Sequence, residues 1–309
     1  TYDDLCELDA WQTMPTITLE EMRAVKLMNR VDTKYVVSET EVLELLRRAS
    51  AQGYRVQIIG STRAARYDTL YYDTPRRDMY IIHHNQQLSR QKVRTRTYLD
   101  NNLSFLEIKM KGNQGRTRKK RVEIERSMFR DFTESGSALS LLREYSWYAA
   151  DELTPALSTR FTRITLVNRE LTERLTIDLQ LEYVDVRSGR GAAIERMAIV
   201  ELKQDGRVVS PMRGILLDMR VAPLRVSKYC LGTALTVEGI KKNRFKLKLR
   251  DIEKRLGEAL SEISRAAEYD YIVVNNVLEE AVNDAVAIIK TDRMRTDRNL
   301  HLINDVLGK

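Results

Sequence analysis

Cysteine and histidine are scarce in this chain. Cys6 and Cys230 are its two thiols, and His83, His84 and His301 its three imidazoles, among 309 residues. Cysteines so far apart match no metal or redox spacing, so they read as small buried hydrophobes in a reducing, cytoplasmic setting. The histidines are too few and too scattered for a His-based metal site. No apolar run approaches the ~18 residues that a membrane-spanning helix needs, so no direct membrane insertion is expected. No secretory leader is visible, in a chain that begins on Thr1 and not on Met. A phosphate-binding G-x-x-x-x-G-K-[ST] loop is missing, as are internal repeats and any Pro/Gly-rich linker.

Hydrophobic residues make up 43% and charged residues 31%, a balance that predicts a packed core rather than disorder. The formal net charge of +8 favours anionic partners: nucleic acid, acidic lipid or phosphate-rich small molecules. Composition does not choose among them.

The pattern along the chain changes twice. Thr18 with Glu21 predicts a capped helix over 18–30, TKYVV (33–37) a strand, and Ser38 the cap of a second helix over 39–52 that ends at Gly53. From 54 to 230 the apolar period is two, with strands expected at 54–59, 67–73, 88–98, 103–111, 118–126, 160–167, 172–184, 194–204 and 220–226. Helical stretches near 127–147 and 211–219 interrupt them. Many strands with short turns and few helices suggest a closed antiparallel barrel. Beyond 230, residues 240–268 read as charged helix, EYDYIVVNN (268–276) as one apolar strand, and about 278–295 as a last helix. The expected class is α+β: a closed antiparallel β tunnel of about eight strands with flanking helices, then a C-terminal helix–strand–helix fragment.

The faces of the strands carry the chemistry, since residues i, i+2 and i+4 share one side. Arg90, Lys92, Arg94 and Arg96 form one such stripe; Glu107, Lys109 and Lys111 another; Lys119, Arg121, Glu123 and Glu125 a third. Arg174, Thr176 and Asp178 oppose Leu175 and Ile177, and Glu201 and Lys203 oppose Val200 and Leu202. Each stripe alone also fits an ordinary solvated outer face. Taken together, cationic stripes inside a closed barrel would be very costly if empty. They become sensible around a polyanion, whose phosphate oxygens take charge-assisted hydrogen bonds. The few carboxylates suit a divalent metal shared with phosphate.

TKY (33–35), YYDT (71–74), RQKVRTRTY (90–98), FLEIKMKGNQGRTRKKR (105–121), RFTRITL (160–166), RLTID (174–178), VELKQ (200–204) and VSKYCLG (226–232) occur in an order that resembles one family. It is the catalytic domain of bacterial vacuolar transporter chaperone (VTC) polyphosphate polymerases, of the triphosphate tunnel metalloenzymes. The resemblance covers roughly 20–250. It implies that Arg94, Arg96, Lys109 and Lys228 are catalytic. It implies phosphate contacts from Lys34, Arg90, Lys119 (or its neighbour Lys120), Arg163, Arg174, Lys203, Arg225 and Ser227, with Glu201 as the ligand of Mn²⁺ or Mg²⁺. Arg225 stands where a lysine is usual in the eukaryotic enzyme. The implied activity is transfer of the ATP γ-phosphate to a growing polyphosphate chain. Relatives with similar linings hydrolyse triphosphates or form cyclic nucleotides, so a triphosphate hydrolase and a non-catalytic polyphosphate or inositol-phosphate binding module stay open. The partners implied are ATP and polyphosphate, not nucleic acid, and any membrane partner would be a separate chain.

Residues 255–298 resemble the C-terminal end of guanylate kinase, with Tyr269, Asp270, Tyr271, Asn275 and Asn276 at the matching EYDY-strand and Asn positions. Without a phosphate-binding loop, kinase activity is not expected. The domains therefore read as 1–254, tunnel domain, and 255–309, guanylate kinase-like fragment.

Overall fold

A computed structural model describes residues 2–25, 30–113, 117–247, 249–252, 254, 271, 273, 278–295 and 299. The chain divides into two compact units, Thr1–Leu256 and Gly257–Lys309.

The first unit is built on one antiparallel sheet. Eight strands follow each other across it in the order β2 (Arg30–Ser38), β11 (Met197–Asp205), β9 (Glu173–Asp185), β8 (Thr154–Val167), β4 (Ala64–Asp73), β5 (Arg90–Tyr98), β6 (Leu103–Lys111) and β7 (Thr117–Ile124). Three short strands join at the margins: β1 (Thr16–Ile17) pairs in parallel with β3 (Arg55–Gln57), while β3 pairs antiparallel with β8 and β10 (Gly191–Ile194) antiparallel with β9.

The outer face is apolar and covered by helices. Leu175, Ile177, Val200, Leu202, Ile164 and Leu166 pack with Leu5 of α1 (Tyr2–Glu7), Trp11 of α2 (Asp9–Gln12), Leu45 and Leu46 of α3 (Glu39–Ala51) and Met212 and Leu216 of α6 (Pro211–Asp218). Farther along, Leu70, Tyr72, Val93, Leu106 and Ile108 meet Ala138 and Leu142 of α5 (Gly136–Tyr145). The caps explain where the helices start. Ser38 Oγ accepts from the Glu41 amide at 3.2 Å while the Glu41 carboxylate accepts from the Ser38 amide at 2.6 Å, a reciprocal box at the head of α3. The same pairing of Thr18 with Glu21 is present, but it opens only a 3₁₀ turn at Glu21–Ala24, because β2 already begins at Arg30.

The inner face changes character part-way along. Gln180 has φ 52°, and the β8–β9 register shifts between Arg160 and Thr162. This bulge turns Leu181 and Tyr183 to the side that Asp178 and Thr176 occupy before it. Leu181 and Tyr183 join Tyr67, Tyr71, Leu157 and Phe161 in an apolar stopper. α4 (Asp78–His84) and α7 (Lys228–Thr236) are seated on it through Tyr80, Tyr229 and Cys230. α7 lies unusually close: a Cβ on Gly232 would come within 2.3 Å of Tyr183 and 2.7 Å of Leu157. Only glycine permits that approach. Asp73 ties the assembly together by accepting from the amides of Thr74, Met79 and Tyr80 and from the Tyr229 hydroxyl.

Cys6 is exposed, not a buried hydrophobe like Cys230, and three further expectations need correction. The sheet is not a closed barrel: β2 and β7 are its two ends and do not pair. The edge of β2 is taken at Lys34, whose carbonyl accepts from the Leu224 amide at 2.7 Å. Pairing would also bring the Arg118–Arg121 run of β7 against Arg30 and Lys34, and opposed like charges repel. Residues 220–226 are not a strand but the link between α6 and α7, making that single backbone bond to β2. The helix read at 127–147 is two pieces, a 3₁₀ turn at Arg126–Phe129 and α5.

In the second unit the described helix is α8 (Leu278–Arg293). The strand expected at 268–276 lies outside the described residues, except for Tyr271 and Val273, which are in no strand. Asn275 and Asn276 also lie outside them.

Candidate functional site

Strand register places the polar stripes on one side of the curled sheet. Lys203 lies opposite Arg174, and Glu201 opposite Thr176 and Lys34. Arg163 faces Asp178, Thr69 faces Arg96, and Tyr71 faces Arg94. Arg94 in turn faces Glu107, which faces Arg121, while Lys92, Lys109 and Lys119 form one row across β5, β6 and β7. The curl is strong. β6 is five strands from β11 in the sheet, yet Lys109 feels the charges of Glu201 on β11 and Lys34 on β2. In a flat sheet that separation would be on the order of 24 Å. The inner face is therefore a channel with a slit between its two edge strands.

Buried carboxylates organise its cations. Asp178 takes a two-pronged contact from Arg163, at 2.5 and 2.8 Å, and a second ion pair from Lys228. Glu107 accepts from Arg94 Nε at 2.7 Å and pairs with Lys119. Glu201 lies 2.8 Å from Lys203 and 3.9 Å from Lys34. Burial alone would raise all these carboxyls, but the neighbouring cations hold each well below the usual carboxylate range. Aromatic rings support several of the cations: Arg96 lies over Tyr67 and Phe161 at 5.3 and 5.9 Å and donates to Thr69, and Lys228, besides its pair with Asp178, lies 4.8 Å from Phe161.

Cations exceed these counter-ions, and the excess shows in their proton affinities. Lys109 keeps solvent-facing surface in the channel, but the protein around it and repulsion from Lys34, Lys92 and Arg94 push it down to about 7. The protein around them likewise lowers Lys119, which keeps an exposed flank, and Lys203 to about 8, against the pull of Glu107 and Glu201 respectively. Arg96 is lowered by burial and then by Arg94; Lys92 and Lys228 are lowered by burial, against the opposing pull of Cys230 and Asp178 respectively. Arg174 is lowered by burial and by Arg163, and its Nε is buried without a hydrogen-bond partner. Such a lining is poised for an anion that supplies the missing charge.

The head of α7 reaches the same channel. Ser227 caps it, accepting from the Cys230 amide at 3.3 Å, and receives a hydrogen bond from Lys92 at 2.7 Å. Arg90 donates to the Gln87 carbonyl at 2.8 Å, and its charge bears on Lys111 together with that of Arg225. The structure thus gathers Lys34, Arg94, Arg96, Lys109, Lys119, Arg163, Arg174, Glu201, Lys203, Ser227 and Lys228 around one space. Arg90 and Arg225 stand near Lys111, at its margin, and Arg225 is exposed. Sequence reasoning passed over Asp178 and Glu107 as counter-ions, and Lys92 as a partner of Ser227. All three sit on the i, i+2 stripes, which was the signal available. Phe161 and Tyr67 carried no such signal, since an aromatic on a strand reads as core.

For a metal, the channel's three carboxylates, Glu107, Asp178 and Glu201, are each held by cations. Among the described residues no group of three His, Cys, Asp or Glu side chains is gathered. Glu201 fits a hard divalent cation that arrives with phosphate, because such ions take one or two carboxylates plus phosphate and water oxygens. No helix among the described residues is long and apolar enough to cross a membrane.

Comparison with known proteins agrees in part with these features. The VTC domain matches residues 29–237. Among curated proteins, the chain is 47% identical over 47 residues to the guanylate kinase of Vibrio cholerae serotype O1, covering 15% of this chain and 23% of that one. To that of Bradyrhizobium diazoefficiens it is 40% identical over 57 residues, covering 18% and 26%. The chain spans about a quarter of the length of these curated relatives. Among solved structures, a Hippeastrum protein described as a candidate adenylyl cyclase with a dominant triphosphatase activity gives a TM-score of 0.43 at 14% identity, covering 68% of this chain and 98% of that one. A candidate adenylate cyclase of Bacillus halodurans gives 0.44 at 12%, covering 65% and 96%.

Proposed function

The chain belongs to the VTC domain family, and on that footing we propose that it is a polyphosphate polymerase acting from ATP. One observation carries the reading. Strands far apart in sequence bring Lys34, Lys92, Arg94, Arg96, Lys109, Lys119, Arg163, Arg174 and Lys203 to one face, and the head of α7 adds Lys228, against Glu107, Asp178 and Glu201 as organising carboxylates.

Phosphoryl transfer needs positioning and charge neutralisation more than covalent help from the protein. Arg94 and Arg96 grip the triphosphate, while Ser227 and Lys228 at the head of α7 offer a second anion position. A terminal phosphate oxygen of the bound chain attacks the γ-phosphorus. The bond from that phosphorus to the β–γ bridging oxygen breaks, and ADP leaves with its electron pair. No side-chain nucleophile is required, because the attacking oxygen is already ionised near neutral pH. Bound Mn²⁺ or Mg²⁺, with Glu201 as its protein ligand, would supply further charge neutralisation on the phosphate oxygens. Residues 1–254 form the working domain in this reading. Residues 255–309 are a guanylate kinase-like fragment without kinase activity.

Arg96 offers a cleaner test than Arg94, because Arg94 also neutralises buried Glu107. Arg96→Ala, incubated with ATP and Mn²⁺ and assayed by gel for polyphosphate, should lose about 100-fold or more in turnover with the fold intact. Undiminished synthesis by this variant would overturn the assignment. A triphosphate hydrolase is the second reading, favoured by the slit, which lets water reach the phosphates. Free phosphate without chain growth marks that outcome.

A further inference from the structure

Two features of the channel bear on how a long chain gets in. One end is stoppered. Tyr67, Tyr71, Leu157, Phe161 and Tyr183 are each at most 7% exposed and fill the inner face under α7. The 224–227 segment links β2 to β5, bonding to β2 through the Leu224 amide and to β5 through Ser227 and Lys92.

The other feature is the slit itself. Beyond Leu224 the lips do not pair, and they are exposed: Arg30–Asp32 on β2, and Thr117–Arg121 on β7. β7 presents Arg118, Lys119, Lys120 and Arg121 in succession, while Lys119 also reaches Glu107 inside. Basic residues on a free edge commonly serve only to discourage strand pairing. Here the same strand lines the lumen with alternate side chains, so the lip and the phosphate-binding wall are one element.

We infer that the channel takes up linear polyphosphate sideways through the β2–β7 slit, binding internal phosphates of the chain and requiring no free end to thread. This rests on the channel being a phosphate-chain site, as proposed above, and deepens it. A stoppered tube with a closed wall would accept only chain ends. A stoppered tube with a basic slit accepts any stretch of the chain and lets the product leave laterally as it lengthens. The ligand class is a flexible polyanion with charge at every unit, thin enough to lie between two strand edges. Single-stranded nucleic acid carries similar charge but also bulky bases.

The test is equilibrium binding of the full chain to long polyphosphate with both terminal phosphates blocked by bulky groups, beside the same polymer with free ends. Sideways uptake predicts that blocking weakens binding by no more than about twofold. Weakening by about tenfold or more would overturn it and leave the channel assignment standing. Failure of both polymers to bind would overturn the channel assignment and the inference with it. Equal binding without any synthesis from ATP and Mn²⁺ would overturn the polymerase reading alone and uphold sideways uptake. Single-stranded DNA of matched charge should compete weakly; competition as strong as that of polyphosphate would overturn the inference, because the slit would then be a general polyanion groove.

Discussion

The two halves of the inner face are made by the same strands and yet have opposite chemistry. On β9, Arg174, Thr176 and Asp178 line a charged channel, while Leu181 and Tyr183, a few residues later, line an apolar stopper. On β8 the change falls between Arg163 and Phe161. Asp178, Arg163 and Lys228 stand at this boundary, with Phe161 beneath both cations. The lesson is that the channel is organised from its stoppered end. α7 is clamped on the apolar half, and its first residues project into the charged half.

The strongest way to break this arrangement is to remove the boundary carboxylate. Asp178→Asn leaves Arg163 and Lys228 buried without their counter-ion, and should cost about 3–5 kcal/mol of stability, read from the urea midpoint. Added tripolyphosphate should restore much of the loss, since a bound anion replaces the missing charge. A variant as stable as the parent would mean that the cations are solvated and the boundary is not where we place it. The same pairs set an acid limit. The folded-state carboxyls of Asp178, Glu107 and Glu201 titrate below their unfolded values. Their contribution is therefore full above the ordinary carboxylate range, near pH 4, and is lost as pH falls through the folded values.

A smaller change tests the apolar half. Gly232→Ala forces a methyl group onto Tyr183 and Leu157, which should cost about 1–3 kcal/mol. Because α7 must shift, tripolyphosphate affinity should fall as well. A loss of stability with affinity preserved would separate the two halves and weaken the view that one positions the other.

The charged half has its own pH signature. Lys109, at about 7, is protonated below that value and neutral above it. Affinity for tripolyphosphate should fall as pH rises from 6 to 8, by at most about tenfold per unit from this group. Lys109→Arg should flatten the profile, because arginine stays charged throughout. An unchanged profile in that variant would shift the titration to another lysine. The smallest effect is expected outside both halves: a chain ending at Leu256 should make polyphosphate at the parental rate in the same gel assay.

Much of the fold was legible before any coordinates. Strand 103–111 and the Ser38 cap follow from period and capping chemistry alone, because those signals are local. The polar stripes were legible for the same reason, and with them Arg94, Lys109, Arg174 and Glu201 as charged inner-face residues; Lys34 was implied only by the family resemblance. α4 and α7 escaped notice. Their sequences, DMYIIHH and KYCLGTALT, are short and apolar, and they owe their helicity to the Asp73 and Ser227 caps and to the stopper beneath them. The strand expected at 220–226 failed because apolar residues before a cap look alike whether they pair or merely pack.

By itself, the sequence determined most of the long strands, which face of each is charged, and that the lumen would be cationic, since alternation is a property of neighbouring residues. Tertiary structure alone decided that Asp178 pairs two cations, that Gln180 turns the wall of β9 inside out, and that β2 and β7 never meet. Those outcomes depend on contacts between residues tens to hundreds of positions apart. No local pattern reports such contacts.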